Sequence, residues 1–319
     1  NIQWNRRYYE AGDYQLQLRA ADWDSDICYI YLAQRPETGM VEKVEAEHTL
    51  KGDFVLVSGF FLEGMLNWRV VYPCRQAEGN VATVCRQLAA ERLAGLAVAA
   101  ADNATLGQTA VMDVCGELLG DVTYGLLEQQ ECSQRIRLDY TAEALHYEVW
   151  QGQNRTQSQT ENPYAVFSQS FGTVDAMTLT RDQSDYRNYA YAVYEGGVRV
   201  VDARTDPAEP VRELYVETGL SIADGQTQAA FFASVDAAAR AELAQRPRLM
   251  NIDATILQHH LLYLEDYDLG DRCDVLDDRL QLAFEARIIE VNEVWKDNSH
   301  TVALQFGNRI PRAYERGRG

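Results

Sequence analysis

An α+β fold, rich in β, is what this sequence predicts, and three observations predict it. Apolar and polar residues alternate with a period of two in segments near both ends of the chain, as in Tyr14, Leu16 and Leu18 or Val302, Leu304 and Phe306. Between them, from Glu78 onward, the apolar period lengthens to 3.6. Glycine beside aspartate, at Gly12-Asp13, Gly52-Asp53 and Gly270-Asp271, opens strand-like runs, because glycine tolerates positive φ and an aspartate side chain can close the bend onto the backbone.

The first seventy residues read as three or four strands: one around residues 14–18, a buried-type run at 27–32 and another strand at 54–57. Residues 62–70 fit a short helix or a bent strand, ended by Pro73. Val81, Val84, Cys85 and Leu88 define one amphipathic helix; after a loop at 102–105, Val111, Val114, Cys115, Leu118 and Leu119 define a second. Strands are expected at 122–128, 135–140 and 145–150. Polar residues 151–162, ending in Asn162-Pro163, read as a linker, with a boundary near residue 160. Strands follow at 165–171, 188–194 and 198–201, the last two joined through Gly196-Gly197, and Asp206-Pro207-Ala208-Glu209-Pro210 is a rigid loop. A helix is expected over 233–245 with Ser234 as N-cap, Asp236 in its first turn and Pro247 as its stop. The last strands lie at 283–294 and 301–306, behind the turn at 267–271.

With 319 residues the chain is long enough for two or three domains of about 100 to 200 residues each. A net charge of −19, from 48 acidic and 29 basic residues, excludes a surface that grips phosphate backbones. Six cysteines without C-x-x-C or Cys/His spacing read as reduced thiols, Cys85 and Cys115 packing in helices, in a reducing cytoplasm. No run approaches the ~20 apolar residues of a membrane span, and the start lacks a signal-peptide core. Asn1 in place of methionine suggests residues before it in the natural product.

Signatures of catalysis are missing: there is no G-x-S-x-G elbow, phosphate-binding loop, dinucleotide fingerprint or H-E-x-x-H. His259 and His260, adjacent on a strand, would face opposite ways and share no metal. The acids Glu265, Asp266, Asp268, Asp274, Asp277 and Asp278 are the one cluster suited to paired carboxylates or calcium, without the EF-hand spacing. Trp23 and Trp295, beside polar loops, suit stacking on a sugar or anchoring a partner. No residue is assigned a catalytic, cofactor-binding or metal-binding role, no cofactor is expected, and the chain is read as a non-enzyme.

Five stretches in order resemble the siphovirus baseplate hub and the N-terminal hub part of tail-associated lysins. They are Trp4 to Leu18, Gly59 to Val71, Asp185 to Val193, Arg212 to Val216, and Leu269-Gly270-Asp271 through Phe306-Gly307. The resemblance implies two tube-like antiparallel β-barrel domains with an inserted α+β domain: a first barrel in 1–75, the insertion in 76–160, and a second barrel in 161–319 with a helical insertion near 231–246. It further implies a trimer forming a pseudo-sixfold ring at the tail tip of the virion, assembled in the host cytoplasm. Its expected partners are the distal tail or tail tube protein, the tape-measure protein and tip or receptor-binding proteins, with DNA passing an acidic lumen unbound. Lysins of that kind continue into a hydrolase, which is not expected here beyond Gly319; the arginines at 309, 312, 316 and 318 are expected to meet an acidic neighbour or to fray. The alternatives are a cell-wall glycoside hydrolase using the acids at 265–278 and a glycan-binding tail module using Trp23 or Trp295.

Overall fold

The computed structural model describes residues 1–50, 52–93, 98–100 (backbone only), 106–222, 225–277, 279 and 281–307. The loop expected at 102–105, Asp278 and the arginines of 309–318 lie outside the described residues. The chain divides into two compact units, residues 1–178 with 252–307, and residues 179–251.

In the first unit, β1 (Ile2–Arg7), β2 (Asp13–Arg19), β3 (Tyr29–Tyr31), β4 (Thr38–Met40), β5 (Lys43–Thr49) and β6 (Gly52–Phe60) precede a 3-10 turn at Leu62–Trp68. Next come β7 (Arg75–Asn80), α1 (Val81–Arg92), β8 (Val98–Ala100), β9 (Thr109–Val114), α2 (Leu119–Glu128), β10 (Ser133–Asp139) and β11 (Ala144–Trp150). After β12 (Val166–Ser168) and β13 (Val174–Asp182), the second unit holds β14 (Tyr189–Tyr194), β15 (Gly197–Asp202), β16 (Glu213–Glu217) and α3 (Gln228–Ala244). The chain closes with β17 (Leu249–Ile256), β18 (Arg272–Asp277), β19 (Leu282–Lys296) and β20 (Ser299–Gly307).

One sheet dominates, in the order β13-β17-β20-β19-β1-β2-β6-β5, with β18 and β12 branching from β19. The two tube-like antiparallel β-barrel domains expected from the resemblance are absent among the described residues. No hydrogen bonds join β13 to β5, so the sheet stays open, and strands from both ends of the sequence share it because β1 pairs with β19. Near its centre lies the β19–β20 hairpin, whose turn residues Asp297 and Asn298 have φ of 49° and 65°. Two successive positive φ angles match the right-handed twist of the flanking strands, and Asp and Asn tolerate them. Gly270, with φ 83°, makes the turn into β18, and Asp268 and Asp271 close it by accepting from the amides of Leu269 and Asp268.

The region 76–150 departs from the sequence reading in two elements. Residues 109–114 form a strand against β7, although their apolar spacing fits a helix, and 119–128 form a helix, although Val122, Thr123 and Tyr124 favour a strand. Packing decides both cases. Leu119, Thr123 and Leu127 are buried at i, i+4 and i+8, whereas Val111 is 72% exposed and has no core to face. Cys115 follows β9 and forms a disulfide with Cys74, which precedes β7, so this pair is not the two reduced thiols expected. Cys85 and Cys132 are buried and free, and burial pushes the Cys85 thiol up to about 12. The first helix follows its pattern: Asn80 caps it by accepting from the Thr83 amide, and Val81, Val84, Cys85 and Leu88 are buried.

In the second unit α3 covers one face of the sheet β15-β14-β16. Phe231, Val235, Ala239 and Leu243, spaced by four, meet Ala190, Ala192, Val201 and Val216. This helix starts five residues before the expected position, capped by Thr227 rather than Ser234. Ser234 instead bonds back to the Ala230 carbonyl inside the helix, and Asp236 pairs with Arg199 of β15 at 2.6 and 2.8 Å.

Candidate functional site

Among the described residues, the acids of 265–277 do not converge on a pocket. Asp266 accepts from the Leu262 amide, Asp268 pairs with Arg6, Asp271 pairs with Arg155 at 2.7 Å, and Asp274 accepts from the Gln157 amide. Each described acid with a partner is spent on holding a loop. His259 and His260 are exposed in a turn rather than on a strand, and among the described residues no group of His, Cys, Asp and Glu is arranged to hold a metal ion. Trp23 and Trp295 are half-buried against the cluster of Trp4, Tyr14, Val55, Val57 and Phe61, and Trp295 stacks on His300 at 4.5 Å. Neither indole is held out as a binding platform. A shallow hollow lined by Asp13, Gln15, Glu42, Lys43 and Phe60 is open to solvent.

What the fold does build is a buried ionic joint. Trp4 and Arg6 share one face of β1, with buried Tyr8 just beyond its end, and Arg6 is 1% exposed. Its guanidinium donates to Glu37 Oε1 at 2.7 Å, to the Tyr263 hydroxyl and to Asp268, tying β1 to the loop before β4 and to the turn before β18. Burial pulls the Arg6 pKa down, but Glu37, Tyr263 and Asp268 outweigh it and the net shift is upward. Beside it, Arg35 forks onto buried Glu293 of β19, which also meets His300 at 3.0 Å. The sequence reading passed over Arg6. Its signal was its phase: it occupies the apolar-facing position between Trp4 and Tyr8, where a charge survives only with partners.

Glu63 lies in the same interior, with Oε2 lacking a hydrogen-bond partner. Burial raises its carboxyl pKa from 4.5 to about 8; backbone amides of Glu63 and Gly12 pull it partly back, and nearby Glu37 adds to the rise. Between pH 4.5 and 8 the folded chain therefore holds a proton that the unfolded chain has released, and stability falls as pH rises. Glu63→Gln removes this penalty. Urea unfolding is expected to show the variant gaining about 3 kcal/mol relative to wild type between pH 5 and pH 8, and parallel pH profiles would refute the assignment.

Among the described residues no further strand joins the large sheet beyond β5. Every residue of β5 is exposed, and Val44 and Ala46 stand opposite Val57 and Val55, which are buried. The core thus stops under β6, and β5 carries the sheet beyond it as an exposed edge strand.

Phage tail proteins of known structure share the fold of this chain. The tail protein from Neisseria meningitidis MC58 superimposes with a TM-score of 0.62 at 14% identity, covering 96% of this chain and 91% of that one. The prophage MuSo2 43 kDa tail protein from Shewanella oneidensis gives 0.59 at 13% identity, with 96% and 93% covered. Prophage tail protein gp18 from Listeria monocytogenes EGD-e gives 0.53 at 9% identity, with 97% and 88% covered. No curated protein sequence matches the chain. The fold is thus that of a phage tail protein. The chain belongs to the Siphovirus ReqiPepy6 Gp37-like protein family, which it matches over residues 1–308. A siphovirus family and the fold of phage tail proteins thus meet in one chain.

Proposed function

We propose that this protein is a homo-oligomeric hub, a trimer, that joins the tail tube or distal tail protein to the tip. The observation that carries this reading is the open ten-stranded sheet, whose fully exposed edge strand β5 offers backbone groups to a neighbour. Pseudo-sixfold order arises in this proposal from two arms of one sheet per chain, β2-β6-β5 and β20-β17-β13, and not from paired barrels. Three copies place six such arms around an axis. The charge of −19 per chain suits a lumen that lets DNA slide through without adhesion, and the tape-measure and receptor-binding proteins are the remaining neighbours of such a ring.

The acids of 265–278 and the packed tryptophans give no support to the hydrolase and glycan-binding alternatives. Analytical ultracentrifugation is expected to give a species three times the 36.1 kDa chain mass, and cryo-EM of assembled particles a ring at the tip. A monomer at high concentration together with particles lacking the ring would overturn the proposal.

A further inference from the structure

The sheet of the second unit has one face under α3 and, among the described residues, one face bare. On the bare face Tyr191 stands in register with both Val200 and Tyr215, and Val193 with Val198, while the Tyr189 and Tyr191 rings lie 5.5 Å apart. Tyr215 is 64%, Val198 55% and Val200 49% exposed. A contiguous patch of three tyrosines and three valines is more than scattered surface apolarity and marks an interaction site.

Its chemistry restricts the occupant. Glu213 and Glu217 flank Tyr215 on the same face, at positions i−2 and i+2. Tyr191 donates a hydrogen bond to Glu213 at 3.1 Å, and neither carboxylate forms an ion pair among the described residues. Asp202, by contrast, is neutralised by Arg204 at 2.7 Å. Aromatic faces beside unpaired carboxylates suit guanidinium groups, which stack on tyrosine while donating to the acid.

We propose that this face binds the arginine-bearing segment 308–319 of the same kind of chain. That segment carries Arg309, Arg312, Arg316 and Arg318 against the single acid Glu315, interleaved with Ile310, Pro311 and Tyr314. It thus offers cations for Glu213 and Glu217 and apolar groups for Val198 and Val200, in a protein otherwise strongly acidic. This assignment stands apart from the ring: it concerns the second unit and requires no pairing of β5.

The test uses the full-length chain with Arg309, Arg312, Arg316 and Arg318 all changed to Ser, so that the site is vacated. A fluorescein-labelled peptide of sequence 308–319 is titrated against it and followed by anisotropy. Saturable binding is expected, weakened at least tenfold by Tyr215→Ala and by Glu213→Gln with Glu217→Gln, and absent for a peptide with serine in place of its arginines. The exposed positions of these variants leave the fold intact, which circular dichroism checks. Binding indifferent to the Tyr215 and Glu213/Glu217 variants marks general attraction to an acidic protein and overturns the proposal, as does failure of the peptide to bind.

Discussion

Arg6→Ala is expected to cost about 3–5 kcal/mol of stability, because it strands a carboxylate in the interior without its cation. Glu37 is 8% exposed and its Oε2 has no partner, so the ion pair with Arg6 is what makes its charge tolerable there. Asp268, with 41% of its side chain exposed, reaches water once the arginine is gone and adds little to the loss. The double variant Arg6→Met with Glu37→Gln separates the two contributions. Removing both charges while retaining volume is expected to recover much of the stability, since an apolar replacement of a whole buried pair is often near neutral. Urea unfolding of the three proteins measures this. A wild-type midpoint for Arg6→Ala would show that the joint contributes nothing to folding.

The same joint shows where sequence reasoning reached its limit. The strands expected at 145–150, 188–194, 283–294 and 301–306 were legible because their faces differ in polarity, and so was the turn at 267–271, where Gly270 must adopt positive φ. Elements 109–114 and 119–128 were not, since short apolar runs fit both periods and only the packing partner settles the choice. Closure of a sheet is still less visible. Whether β5 meets β13 depends on twist and curvature accumulated over the eight strands from one to the other, and no local pattern encodes that sum. The joint itself combines residues 6, 37, 263 and 268, separated by up to 262 positions, so the pairing of β1 with β19 had to be known first. The siphovirus resemblance was legible in five short stretches, and the family match over 1–308 bears it out.

Gly59→Val is expected to exceed about 3 kcal/mol in cost, the upper range for an overpacked core, because the obstacle is backbone. Gly59 lies in β6 opposite Tyr14 of β2, and a Cβ there would come within 1.9 Å of the Met40 carbonyl oxygen and 3.2 Å of the Glu42 amide. No rotamer relieves such a contact, so residues 40–42 must move. That oxygen accepts the Tyr14 hydroxyl at 3.0 Å, and the Tyr14 ring itself sits against Gly39, so displacement of Met40 propagates into the core around Trp4 and Phe61. Residues 40–42 also lead directly into β5, so the outermost strand shifts with them. Gly125→Ala in α2 is the matched control: nothing lies within 4 Å of its added Cβ, and an alanine in a helix interior gains about 0.5–1 kcal/mol over glycine. Thermal unfolding should therefore move in opposite directions for the two substitutions. Equal midpoints for Gly59→Val and wild type would mean that the 39–42 segment yields freely and that β5 is not held in place by β6.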